Sequence, residues 1–126
     1  MGKFLVREKN GKYSFRLNAG NGQVIATSQI YKTLPTCQAG IASVRENAAA
    51  ANLEDQTQEG FKEQKHPKFE VYKDNAGEYR FRLKAKNGQV IAASEGYSGL
   101  EACLNGIESV RENVKDAKEE MEEKEE

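Results

Sequence analysis

The segment FRLNAGNGQVIATS, residues 15–28, returns almost unchanged as FRLKAKNGQVIAAS, residues 81–94. The duplication is wider than this segment: residues 11–47 align on residues 77–113 without a gap and agree at 23 of 37 positions. Self-similarity of this kind marks a folding unit that is built more than once. A unit of about 50 residues buries too little surface to be comfortable alone. Two such units in a chain of 126 residues are therefore expected to share a core.

Turn chemistry says what each unit is. KFLVREKNG and KFEVYKDNAG align only if the second copy carries one extra residue. Asn10-Gly11 reads as a two-residue hairpin loop, whereas Asn75-Ala76-Gly77 reads as a three-residue loop with Gly77 left-handed. Asn21-Gly22 and Asn87-Gly88 are the strongest short hairpin signal available and join strands two and three. Counting outward from these turns sets Val6 opposite Phe15, Phe4 opposite Leu17 and Leu17 opposite Ala26. In the second copy it sets Val71 opposite Phe81, Phe69 opposite Leu83 and Leu83 opposite Ala92. Tyr13, Phe15 and Leu17 alternate with Ser14, Arg16 and Asn18, the period of a half-buried strand. Each copy thus opens as a three-stranded antiparallel meander.

A helix follows in each. Leu34, Cys37, Ile41, Val44 and Ala48 fall at helical spacing, as do Leu100, Cys103, Ile107, Val110 and Val114. Pro35 suits a first turn, where its missing N–H costs nothing. Ser98 and Glu101 fit a capping box, with Ser98 as N-cap. Gly40 and Gly106, mid-helix, each cost about 1 kcal/mol relative to Ala, which points to close approach of the helix to the sheet or to its twin. The expected fold is α+β: tandem β-β-β-α(-β) repeats sharing one antiparallel sheet, with two helices packed on one face. Residues 1–57 form the first repeat, 58–67 a polar linker, 68–121 the second repeat and 122–126 an acidic tail. A short strand is expected near Leu53, while DAKEEMEEKEE is poor strand material.

The residues KFEVYKDNAGEYRFRLKAKNGQVIAASEGY and NGIESVREN closely resemble the YegP-like family, small bacterial proteins without an assigned function. The resemblance covers both copies, roughly residues 3–57 and 68–121. It implies a tandem of β-β-β-α-β units with their short last strands exchanged, and it supplies no catalytic residues. The first copy departs from the pattern, with Gln29-Ile30-Tyr31 where the second has Glu95-Gly96-Tyr97.

Composition narrows the function classes. The chain is 31% charged with a net charge of −1. Residues 3–32 carry six Lys/Arg against one acid, and residues 108–126 nine acids against four bases. No apolar run is long enough to span a bilayer. MGKFLVREKNG has neither the apolar core of a signal peptide nor a myristoylation pattern, so a cytoplasmic protein is expected. The single histidine, His66, has no second His or cysteine cluster with which to hold zinc and reads as an exposed linker residue. Cys37 and Cys103 read as core residues; a redox role for the pair is the sharper alternative. Gly20-Asn21-Gly22 precedes a strand, so it is a hairpin and not a phosphate cradle. DNAGE, residues 74–78, lacks the spacing of a calcium loop.

No cofactor, metal or catalytic constellation stands out, so the chain reads as a non-enzymatic interaction or structural module. A protein partner or self-association is the first reading, with no membrane. The surface of interest is the sheet face away from the helices. The register sets Glu70 opposite Arg82, Tyr72 opposite Arg80 and Lys84 opposite Ile91 there, with Leu5, Arg7, Lys12, Ser14, Arg16 and Ile25 from the first copy. A basic sheet with interleaved apolar residues suggests a second reading, a nucleic-acid or polyanion binder acting through Arg16, Tyr72, Arg80, Arg82 and Lys84.

Overall fold

A computed structural model describes residues 2–122. The first repeat runs β1 (Lys3–Lys9), β2 (Lys12–Asn18), β3 (Val24–Thr27), α1 (Leu34–Ala50) and β4 (Asn52–Asp55). The second runs β5 (Lys68–Lys73), β6 (Tyr79–Lys84), β7 (Val90–Ala93), α2 (Leu100–Asn113) and β8 (Lys118–Met121). All strands join one eight-stranded sheet, in the order β4-β5-β6-β7-β3-β2-β1-β8. The repeats meet where β3 and β7 pair through Thr27 and Ala93. These two positions are equivalent in the repeats, so a pseudo-twofold axis passes between them.

The end strands are exchanged: β4 of the first repeat pairs with β5 of the second, and β8 of the second with β1 of the first. Both pairings are parallel, so the sheet is mixed and not wholly antiparallel as the hairpin pattern alone suggests. Parallel neighbours need a crossover of about a dozen residues. The segment 56–67 is that crossover between β4 and β5. It is therefore no free linker, and it returns across the sheet face that the helices leave open.

Turns behave as their residues dictate, with one instructive difference. Asn10 and Gly11 both take positive φ, 54° and 76°, in the two-residue loop. Gly77 is left-handed in the longer loop, closed by Asp74 N–H to Glu78 O at 2.8 Å. At the second turn the loop has three residues, not two, because Ala19 and Ala85 donate to the carbonyls of Gln23 and Gln89, each at 2.9 Å or less. A β-bulge between Leu17 and Asn18, and between Leu83 and Lys84, absorbs the extra residue. The register further out is consequently as counted, Leu17 opposite Ala26 and Leu83 opposite Ala92. The bulge does move its neighbours: Lys84 faces Val90, not Ile91, and Ile25 and Ile91 turn into the core instead of out of it.

The helix stripes bury as spaced, with Cys37, Ile41, Val44, Cys103, Ile107 and Val110 nearly inaccessible. They pack on Phe4, Val6, Phe15 and Leu17 and on their twins Phe69, Val71, Phe81 and Leu83, in one continuous core. Helix α1 starts behind Thr33, whose hydroxyl accepts the Thr36 N–H at 3.2 Å, with Pro35 in the first turn. Helix α2 starts behind Gly99 and carries no side-chain cap, so the Ser98–Glu101 capping box does not form. The helix begins one residue later than that box requires, which puts Glu101 at N2. Gly40 and Gly106 have a clear reason. A Cβ there would lie 2.7 Å from Tyr31 Cζ and 2.9 Å from Tyr97 Cζ, rings trapped between helix and sheet.

Candidate functional site

On the helix-free side of the second repeat, Glu70, Tyr72, Arg80 and Arg82 project from β5 and β6 in the register expected of them, with Lys84 beside them at the shifted position next to the bulge. The face is not open there. Glu54 of β4 stands opposite Glu70, two carboxylates side by side, and Lys68 resolves the repulsion. Its ammonium donates to Glu54 Oε1 at 2.8 Å and lies 3.1 Å from Glu70 Oε2. Arg82 Nε donates to Glu70 Oε1 at 2.6 Å, and Lys84 Nζ sits 3.1 Å from the same oxygen. The crossover closes over this cluster: Gln64 N–H and Gln56 Nε2 each donate to Glu54 at 2.6 Å. The Arg82 guanidinium also lies 4.5 Å above the Tyr72 ring. Arg80 Nε donates to Asp74 Oδ2 at 2.6 Å.

Electrostatics follow the geometry. Burial by itself would raise the Glu70 carboxyl, but the hydrogen bonds from Arg82, Lys68 and Lys84 outweigh it and hold it at about 2. Burial likewise opposes ionisation of Glu54 and Lys68, and their mutual hydrogen bond prevails, lowering the acid and raising the base. Buried charges survive only when paired in this way.

In the first repeat the same side is built differently. Leu5 replaces Glu70, so Arg16 has no acid across the strand pair. It reaches instead to Glu122, just past β8, donating from Nη2 to Oε1 at 3.0 Å. Arg7 Nε approaches the other carboxylate oxygen at 3.5 Å. Beside them a groove of about 170 Å³ runs between Leu5, Arg7, Ser14, Arg16, Thr27 and Ser28. No crossover covers it within residues 2–122. Glu122 is the only part of the 122–126 segment among the described residues; the other four positions lie outside them.

A second concavity, about 540 Å³, lies between the helices and includes Arg45, Glu108, Arg111 and Glu112. Its arginines are engaged. Arg111 donates to Ala48 O and Ala51 O at 2.9 Å each, at the end of α1. Arg45 donates to Val114 O at 3.0 Å and to Ala117 O, at the end of α2. Each guanidinium also covers a core ring, Arg45 on Phe4 and Arg111 on Phe69. These residues carry no weight in the sequence reading. The available signal was their recurrence as VREN in both copies, a charged residue beside two core positions of a helix.

Cys37 and Cys103 are free and fully buried, and burial pushes both thiols up to about 11. His66 is exposed. Among the described residues no three His, Cys, Asp or Glu side chains are placed to hold a metal ion, and no helix is long and apolar enough to cross a membrane.

The family model described as "Domain of unknown function (DUF1508)" matches twice, over residues 8–55 and 74–120. The chain belongs to this family. YegP of Yersinia pestis is 40% identical over 109 residues, covering 86% of this chain and 84% of its own. The solution structure of Escherichia coli YegP superposes with a TM-score of 0.75 at 28% identity, covering 98% of this chain and 96% of that one. A UPF0339 protein of Methanosarcina acetivorans is 59% identical over 51 residues, 40% of this chain but 88% of its own length. That relative of the DUF1508 family is about one repeat long, in keeping with a unit that was duplicated here. A Stutzerimonas stutzeri relative, 65% identical over 48 residues, is matched over only 43% of its length.

Proposed function

We propose that the chain is a non-enzymatic interaction module whose contact surface is the helix-free face of the first repeat. The observation that carries this reading is the difference between the two halves of that face. Over the second repeat a crossover seals Lys68, Glu54 and Glu70, and the half-exposed Arg82 is neutralised by Glu70. Over the first repeat a groove stays open beside Arg7 and Arg16. The reading also draws on the inert, protonated thiols and the carbonyl-bound arginines between the helices.

The test compares partners recovered by the intact chain and by Arg16→Glu. A partner lost with Arg16→Glu and kept with Lys115→Glu, a change between the helices, is expected. The opposite pattern overturns the reading. An amide NMR titration with pooled short DNA and RNA, at low and then high salt, checks the polyanion reading through Arg16, Tyr72, Arg80, Arg82 and Lys84. Phosphate contacts release counterions, so shifts centred on those residues that fade with salt would favour it. No such shifts are expected, because Arg80, Arg82 and Lys84 already hold internal carboxylates.

A further inference from the structure

Arg16 and Arg82 occupy equivalent places in the two repeats, and both hold a carboxylate. Arg82 takes its carboxylate from the strand beside it, so that ion pair belongs to the fold. Arg16 takes one from a residue 106 positions away, beyond the last strand. Remove Glu122 and nothing else in the pairing of β1 and β2 supplies an acid at that point, because the cross-strand partner is Leu5. Arg16 and Arg7 therefore hold a carboxylate that the segment after β8 delivers.

The occupant is held by one good contact and one weak one. Arg16 Nη2 hydrogen-bonds Oε1 at 3.0 Å, but Oε2 is enclosed without a hydrogen bond, 3.5 Å from Arg7 Nε. A planar guanidinium pairs best with both oxygens of a carboxylate at once. Glu122 thus fits the two arginines less well than a freely positioned carboxylate would. The adjoining groove continues past Ser14, Thr27 and Ser28. The Ser28 hydroxyl is held between Phe15 N–H and Gln29 O and that of Thr27 donates to Ala93 O, which leaves the Ser14 hydroxyl to meet an extended backbone or a second acidic side chain. Of the six Lys/Arg in residues 3–32, Lys3 is paired with Glu120 of β8, and Arg7 and Arg16 with Glu122. Displacing Glu122 therefore exposes two neighbouring cations, which draw in an acidic chain.

We propose that the Arg7–Arg16 groove binds an acidic peptide segment of a protein partner, and that Glu122 occupies it as an internal competitor. This rests on the interaction-module reading and names its partner class. Nucleic acid fits the same groove poorly. Its lining holds no exposed aromatic ring on which a base would stack, and the nearest equivalent, Tyr72, lies in the other repeat under Arg82.

The experiment uses the intact chain and Glu122→Gln, with acetyl-EEKEE as probe and acetyl-QQKQQ as control, followed by amide NMR. The acidic probe is expected to shift Leu5, Ser14, Arg16, Thr27 and Ser28, and to bind Glu122→Gln about tenfold more tightly, the worth of one charge-assisted hydrogen bond. Arg16→Gln in the Glu122→Gln background should abolish those shifts with the rest of the spectrum unchanged. Equal affinity for the intact chain and Glu122→Gln would overturn the competition. Shifts that survive Arg16→Gln, that the control peptide reproduces, or that short RNA produces more strongly would overturn the site as an acidic-peptide receptor. A partner that is still lost with Arg16→Glu while acetyl-EEKEE fails would discard the acidic peptide and leave the interaction module standing.

Discussion

Lys68 with Glu54 and Lys3 with Glu120 are the same pair in the same register, one at each end of the sheet. Yet the first pair is 3% and 2% exposed at its side chains and the second 58% and 46%. Two differences produce the contrast. The crossover 56–67 covers one end, and Glu70 at that end draws in Arg82 and Lys84 where Leu5 at the other end draws nothing. A shared motif therefore does not carry a shared energy. An exposed ion pair contributes about 0–1 kcal/mol, whereas removing one partner of a buried pair costs about 3–5 kcal/mol.

The contrast is open to direct attack. Lys68→Met strands Glu54 beneath the crossover and should lower unfolding stability by about 3–5 kcal/mol in a denaturant titration. An effect no larger than that of Lys3→Met would remove the distinction between the two ends. Acid titration probes the same cluster. Glu70 sits at about 2 when folded against an ordinary 4.5. Its contribution is complete above about 4.5 and is lost as pH falls toward about 2, because the unfolded chain takes up the proton first. Glu70→Gln should flatten the stability profile across that interval.

Other substitutions should respect the pseudo-symmetry instead of breaking it. Arg45→Ala and Arg111→Ala each remove two hydrogen bonds to helix-end carbonyls and a contact with a core ring. Each should cost about 2 kcal/mol, and equally. Thermal unfolding that separates them widely would show that the ends of α1 and α2 are held differently. Gly40→Ala and Gly106→Ala press a methyl against Tyr31 and Tyr97. Overpacking of about 1–3 kcal/mol less a helix-propensity gain of about 1 leaves a net loss near 1 kcal/mol for each. Lys3→Met comes last, with a change under about 1 kcal/mol.

Much of this was readable in the residues. The register of β1 on β2 and of β5 on β6 follows from Asn10-Gly11 and Gly77, because a turn residue sets which side chains oppose each other. At the second turn the count was right for a reason the residues conceal: a longer loop and a bulge cancel. The cancellation is incomplete next to the bulge, which is why Ile25 was expected outside and lies within. Lys68 and the two helix arginines were missed because nothing local distinguishes a lysine that will be covered from one that will not.

The sequence by itself determined the repeat, its hairpins, the apolar stripes of α1 and α2 and the shared core. All of these depend on neighbours a few residues apart, where periodicity and turn chemistry act. Tertiary structure alone decided where the end strands go. KEEM, the whole of β8, has little tendency to be a strand, and it becomes one where β1 offers an unpaired row of backbone groups. The same exchange forces a crossover over one half of the sheet and brings Glu122 to Arg16 over the other. Which carboxylates are sealed beneath a crossover and which one reaches its arginine from beyond the last strand is a matter of the path of the chain, and no short window of residues encodes that.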